Sequence, residues 1–147
     1  HDGCHPFICA WHEFLGERQF EVAVNLHEDY DTSGIYLYEI TSQNPVGHAL
    51  LDAVVSVIPR EPSGEVDGSL IARGLLAHRG SLQPIIDEHL DGGWPEAIYL
   101  AQHHTALSFT FEPPSEAALE RRIEARRLFI EAVVSNVVEP SARSNLS

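Results

Sequence analysis

The sequence contains no lysine and no methionine, and only two of its 147 residues are cysteines. All of its side-chain positive charge apart from histidine therefore rests on nine Lys+Arg positions, every one an arginine, against 22 acids. The resulting formal net charge of −13 repels phosphate backbones and excludes nucleic acid as a natural partner. Cys4 and Cys9 are too few for a disulfide framework, and their spacing fits no zinc ribbon, so both are expected to be small core residues. No apolar run approaches the length of a bilayer span, which excludes a membrane segment. There is no start methionine and no signal-peptide pattern, so a fragment of a longer chain is expected, with the cytoplasm the favoured compartment. A glycine-rich phosphate loop is missing, and Ser108 has no Gly-x-Ser-x-Gly surround, which removes two common catalytic arrangements.

What is present suits a single globular domain: 44% of residues are hydrophobic and 21% charged. Phe7, Ile8, Ala10, Trp11, Phe14 and Leu15 recur at helical spacing before Gly16. Residues 20–24 alternate as a strand. Residues 35–40 form a second strand rich in β-formers, with Tyr36, Tyr38 and Ile40 on one face. A buried helix is expected over residues 49–58, a loop over 61–68, and an undecided helix or strand over 70–78. Residues 80–93 read as irregular, with a solvated acidic cluster at Asp87, Glu88, His89 and Asp91. A short helix with Pro95 early in it spans residues 94–100. Residues 105–111 alternate as a strand, stopped by Pro113 and Pro114. Ser115 is then a suitable N-cap for a helix that directs Leu119, Ile123, Phe129, Ala132 and Val133 to the core, with its arginines mostly outward. The domain is expected to occupy residues 1–138, with 139–147 a disordered tail. The fold class is α/β.

The chemistry gathers at strand ends. Asn25-Leu26-His27-Glu28-Asp29-Tyr30-Asp31 is a polar burst after the first strand, where α/β sheets collect their ligand groups. His27 with Glu28, Asp29 and Asp31 reads as a metal or acid–base cluster, or equally as a solvated acidic turn. Glu112 closes the last strand. If those strands are neighbours, His27 and Glu112 face one crevice, as a metal-bound water and its activating carboxylate would. Glu39, among apolar neighbours, needs a partner if buried; it reads either as a supporting group near the site or, preferred, as an exposed edge residue.

Four segments carry a resemblance: Leu26-His27-Glu28-Asp29, Tyr36-Leu37-Tyr38-Glu39, Trp94-Pro95-Glu96-Ala97, and the strand from Leu107 through Glu112 into Pro113-Pro114-Ser115. Together, in that order, they resemble the zinc carboxypeptidase superfamily, nearest the branch of succinylglutamate desuccinylase and aspartoacylase, over residues 20–138. The resemblance implies a mixed, largely parallel sheet flanked by helices, matching the C-terminal half of that fold. It also implies Zn2+ as cofactor, His27 as the third zinc ligand, Glu112 as general base, and a peptide or N-acyl amino acid as substrate. Asp29, Glu28 or Glu39 would support the metal. Tyr99 loosely matches the substrate-contacting tyrosine of peptidase members, with a packing role as its other reading. The family's His-x-x-Glu ligand pair and its Asn-Arg substrate pair are both absent. The chain is thus expected to pair with a missing N-terminal half, or to self-associate through an unpaired sheet edge. A rival reading is a non-catalytic acidic module that binds a ligand or partner.

Overall fold

The computed structural model describes residues 5–42, 44–88 and 95–145. Its centre is a four-stranded sheet in the order β1 (Ala23–Leu26), β6 (Leu107–Glu112), β2 (Tyr36–Thr41), β5 (Leu75–His78). β1 runs parallel to β6 and β2 parallel to β5, while β6 and β2 are antiparallel. This is the mixed, largely parallel α/β sheet expected, and the strands carrying His27 and Glu112 are direct neighbours. The first strand begins later than its alternation predicted: Phe20 makes only an isolated bridge to Thr105, and the ladder proper starts at Ala23.

β6 is buried along its whole length, because it is covered on both faces. On one face Phe109 and Phe111 pack against Phe129 of α5 (Leu119–Val133), with ring centroids 6.1 Å and 4.4 Å away. Leu50, Leu51 and Val54, in and after α2 (Gly47–Asp52), complete that core. The helix expected over residues 49–58 is shorter and earlier. It gives way to turns after Asp52, whose wider packing still buries Val54 and Ile58. On the opposite face, α1 (Pro6–Leu15) and α4 (Glu96–His103) close over the sheet through Leu15, Ala23 and Leu100.

Several expectations change. Cys9 lies exposed on α1 rather than in a core, and Cys4 is outside the described residues. Residues 61–68 are not a plain loop: β3 (Glu65–Val66) and β4 (Ser69–Leu70) form a hairpin. Its turn residues, Asp67 and Gly68, both have positive φ, as a two-residue Asp-Gly turn requires. The undecided stretch resolves as β5, and the irregular one contains α3 (Gln83–Glu88); His89 and Asp91 lie outside the described residues. Ser115 does not cap α5. Its backbone N–H donates to the Asp29 carbonyl at 2.7 Å, prolonging the β1–β6 pairing, and the helix opens later, after Ala118. Ala125, Phe129, Ala132 and Val133 face inward, while Leu119 and Ile123 are more than half exposed. After a π-helical turn, Val134–Val138, the chain continues as α6 (Glu139–Ser144), helical rather than irregular, with no buried side chain. Among the described residues, no helix is long and apolar enough to cross a membrane.

Candidate active site

Parallel pairing of β1 with β6 sets Leu26 beside Phe111, so the residues just beyond, His27 and Glu112, leave the sheet at the same end. His27 Nδ1 stands 3.3 Å from Glu112 Oε1. The imidazole is half exposed, with 52% of its side chain accessible, while Glu112 is 7% exposed. Both line a cleft of about 490 Å3 with Tyr38, Asp67, His78 and the first turn of α4. Burial, first, and then the negative charges of Asp29 and Asp67 push the Glu112 carboxyl up to about 7. A carboxyl that titrates near neutrality beside an accessible imidazole is suited to moving a proton at physiological pH.

The loop bearing His27 is held from both sides. Glu28 receives Arg122 Nη1 and Arg126 Nη2, each at 2.5 Å, and Arg126 also donates to the His27 carbonyl at 3.1 Å. Hydrogen bonding from Arg126, ahead of the other contributions, lowers the Glu28 pKa, and the two arginines tie this carboxylate to α5. The arginines expected to point outward are therefore partly inward at Arg122 and Arg126. Asp29 accepts from the Tyr36 hydroxyl at 2.5 Å, and burial and then that bond raise the tyrosine's pKa. Tyr36 pairs in register with Glu112, which places Asp29 close to the general-base candidate.

Glu39 is not an edge residue. It is fully buried in an interior strand, and Oε2 accepts the N–H groups of Val46 (3.0 Å) and Gly47 (2.6 Å). It therefore anchors the start of α2, and it also lines the cleft that holds His27 and Glu112. A Cβ on Gly47 would come within 2.6 Å of Leu75 and 3.1 Å of that same oxygen, so glycine lets the helix end approach. Tyr99 is turned toward α1, stacked on His12 at 3.8 Å and tilted against Trp11 at 5.3 Å. The packing reading describes it. His103 and His104 lie at the far end of α4, about 10 Å along the helix from the cleft. His104 is buried, with Nδ1 2.7 Å from the Arg18 carbonyl.

Sequence reasoning missed Asp67 and His78 as cleft residues. The Asp-Gly dipeptide at 67–68 was the available signal for a hairpin that brings a carboxylate over the sheet. Among the described residues, no group of three or more His, Cys, Asp or Glu side chains converges to hold a metal ion. Zinc needs at least three protein ligands, and His27 with Glu112 does not make that set.

No family model matches the sequence, and no curated protein matches it either. Solved structures do. A "putative metallopeptidase" from Shewanella amazonensis superposes with a TM-score of 0.66 at 21% identity, covering 88% of this chain and 46% of that one. One from Shewanella denitrificans gives 0.68 at 16%, covering 93% and 49%. One from Shewanella baltica gives 0.63 at 17%, covering 80% and 40%. At these identities the likeness shows a shared fold. The chain spans less than half the length of each of these structures.

Proposed function

We propose that this chain is the C-terminal portion of a zinc-dependent amide hydrolase, a metallocarboxypeptidase or an N-acyl amino acid deacylase. His27 contributes one metal ligand and Glu112 activates water. The observation that carries this reading is the 3.3 Å approach of His27 to Glu112 in one cleft. Once ionised, Glu112 accepts a proton from a water whose oxygen attacks the substrate carbonyl, and it can return that proton to the departing amine. Zinc, with its ligands completed from outside this chain, would supply Lewis acidity at the carbonyl.

The complementing half has a surface to join. β1 ends the sheet with one side unpaired among the described strands, and His27 sits at its exit. On α5 and the turn after it, Leu119, Ile123, Ile130 and Val134 fall on one helical face at 54%, 55%, 38% and 40% exposure. A strand and helix added there would cover that stripe and bring donors beside His27. The solved structures, at about twice this length, have chain to spare for it.

Mixing the chain with a polypeptide that carries His-x-x-Glu tests the proposal. Zinc should be retained only in the mixture and lost with His27→Ala, while Glu112→Gln should keep zinc and lose hydrolysis of peptides or N-acyl amino acids. Zinc retention that ignores His27 would overturn it. Alone, the chain should self-associate in light scattering. The second reading, a non-catalytic binding module, is favoured by the absence of a three-donor metal group among the described residues. It predicts ligand binding that is indifferent to zinc.

A further inference from the structure

The cleft beside Glu112 has a distinctive division of chemistry. Its body is apolar, made by Ile40, Leu76, Ile85, Ala97 and Ile98. Its ionisable lining is Asp67 on the hairpin and Glu96 at the start of α4, both exposed, the buried Glu39 and Glu112, and two histidines, His27 and His78. No arginine is among the residues that line it, and the chain has no lysine. Arginines 18, 60, 121, 122, 126 and 127 bond to partners elsewhere in the fold. Asp67 is aimed by structure: Tyr38 reaches across the sheet face and donates its hydroxyl to Asp67 Oδ2 at 3.2 Å. Glu112 lies at the same cleft, more than nine-tenths buried, with Oε1 3.3 Å from His27 Nδ1.

An apolar trough with an acidic rim complements a group whose stem is aliphatic and whose tip is positive. Such a group buries its methylenes while its charge stays at the water boundary. A carboxylate-tipped group would meet the like charges of Asp67 and Glu96 at the rim. A neutral aliphatic group would fill the trough and leave the rim unanswered.

We propose that this cleft is a subsite for a lysine- or arginine-like substrate side chain, with Asp67 as the residue that sets the preference. The proposal rests on the amide-hydrolase reading for its biological use, but the binding it describes does not need hydrolysis.

The test is binding of three probes of matched length to the isotopically labelled protein: n-butylguanidinium, its neutral isostere n-butylurea, and valerate. Chemical-shift changes should map to Leu76, Ile85 and Ile98, with the guanidinium binding tightest and valerate weakest. Asp67→Asn is the informative variant. Asparagine tolerates positive φ as aspartate does, and its amide oxygen can still accept from Tyr38, so the hairpin is retained. It should weaken the guanidinium about tenfold and leave the urea unchanged, the scale of one charge-assisted hydrogen bond. Equal affinity for the guanidinium and the urea, or a guanidinium affinity indifferent to Asp67→Asn, would overturn the proposal. The two readings fail separately: a zinc-loaded assembly that hydrolyses amides without preferring basic side chains removes the subsite and keeps the hydrolase. Guanidinium binding in the cleft of a protein that hydrolyses nothing does the reverse.

Discussion

Two carboxylates, Glu61 and Glu112, are buried almost equally, at 6% and 7% exposure, yet they titrate in opposite directions. Burial acts on both to raise the pKa, and for each it is the largest single influence. Around Glu61 it is outweighed by backbone N–H donors: Ser63 at 3.0 Å on one oxygen, Ser33 at 2.8 Å and Gly34 at 2.9 Å on the other. The pKa falls. Glu112 has no comparable set of donors. It faces an imidazole and the charges of Asp29 and Asp67, and it rises to about 7. The lesson is that depth does not decide a buried acid's role; the donors aimed at it do. Glu61 ties two loops together where Gly34 passes so close to Arg60 and Glu61 that a Cβ would lie 2.5 Å from their backbone. Glu112 is left with a pKa near neutrality.

The largest expected effect that would break this contrast is kinetic. In a zinc-loaded assembly, Glu112→Gln should lower kcat/KM by roughly 10²–10⁴-fold, the usual range for a lost general base. Activity of the unmodified assembly should rise with pH through about 7, as the base ionises. A flat profile would remove the carboxylate from the chemistry.

Next in size is stability. The folded-state pKa of Glu112 lies above its usual 4.5, so the folded protein binds the extra proton. Its unfavourable charge is absent below pH 4.5, grows as pH rises, and is complete above about 7. Glu112→Gln should therefore stabilise the fold at pH 8 by up to about 3 kcal/mol, and hardly at all at pH 4, in urea denaturation. Glu61 has the reverse sign. Its lowered pKa contributes stability that is present above pH 4.5 and lost as pH falls through the folded value. Glu61→Gln should cost about 1–3 kcal/mol at pH 7, a difference that shrinks in acid, since a buried network loses a charged acceptor. If both variants moved stability the same way, donors would not be what separates the two sites. The smallest effect is at Glu28, whose side chain is 29% exposed. Glu28→Gln should cost about 1 kcal/mol or less, because partly hydrated ion pairs contribute little, while broadening the NMR signals of His27.

Much of the fold and one pair of residues were legible in the chain itself. The period-two runs of β2 and β6, the helical spacing of α1, and the polar burst after Leu26 each express a local rule, and the structure honours them. The Asp-Gly turn was legible too, although it went unread. The burial of Glu39 was not, because its partners, the N–H groups of Val46 and Gly47, are supplied by a helix end folding back over the sheet. Nor was the rotation of α5, whose apolar positions at 119 and 123 are outvoted by Phe129 packing on Phe111.

Periodicity and residue type by themselves determined the strands β2 and β6 and the helix α1, and that an imidazole and a carboxylate stand at strand exits. Only the tertiary structure decided that these exits are adjacent, that Glu28 is held by arginines, and that Asp67 is carried over the cleft. The reason is physical. Local patterns record which face of an element avoids water, whereas proximity between residues 27, 67 and 112 arises when strand order and register are chosen by the packing of the whole core.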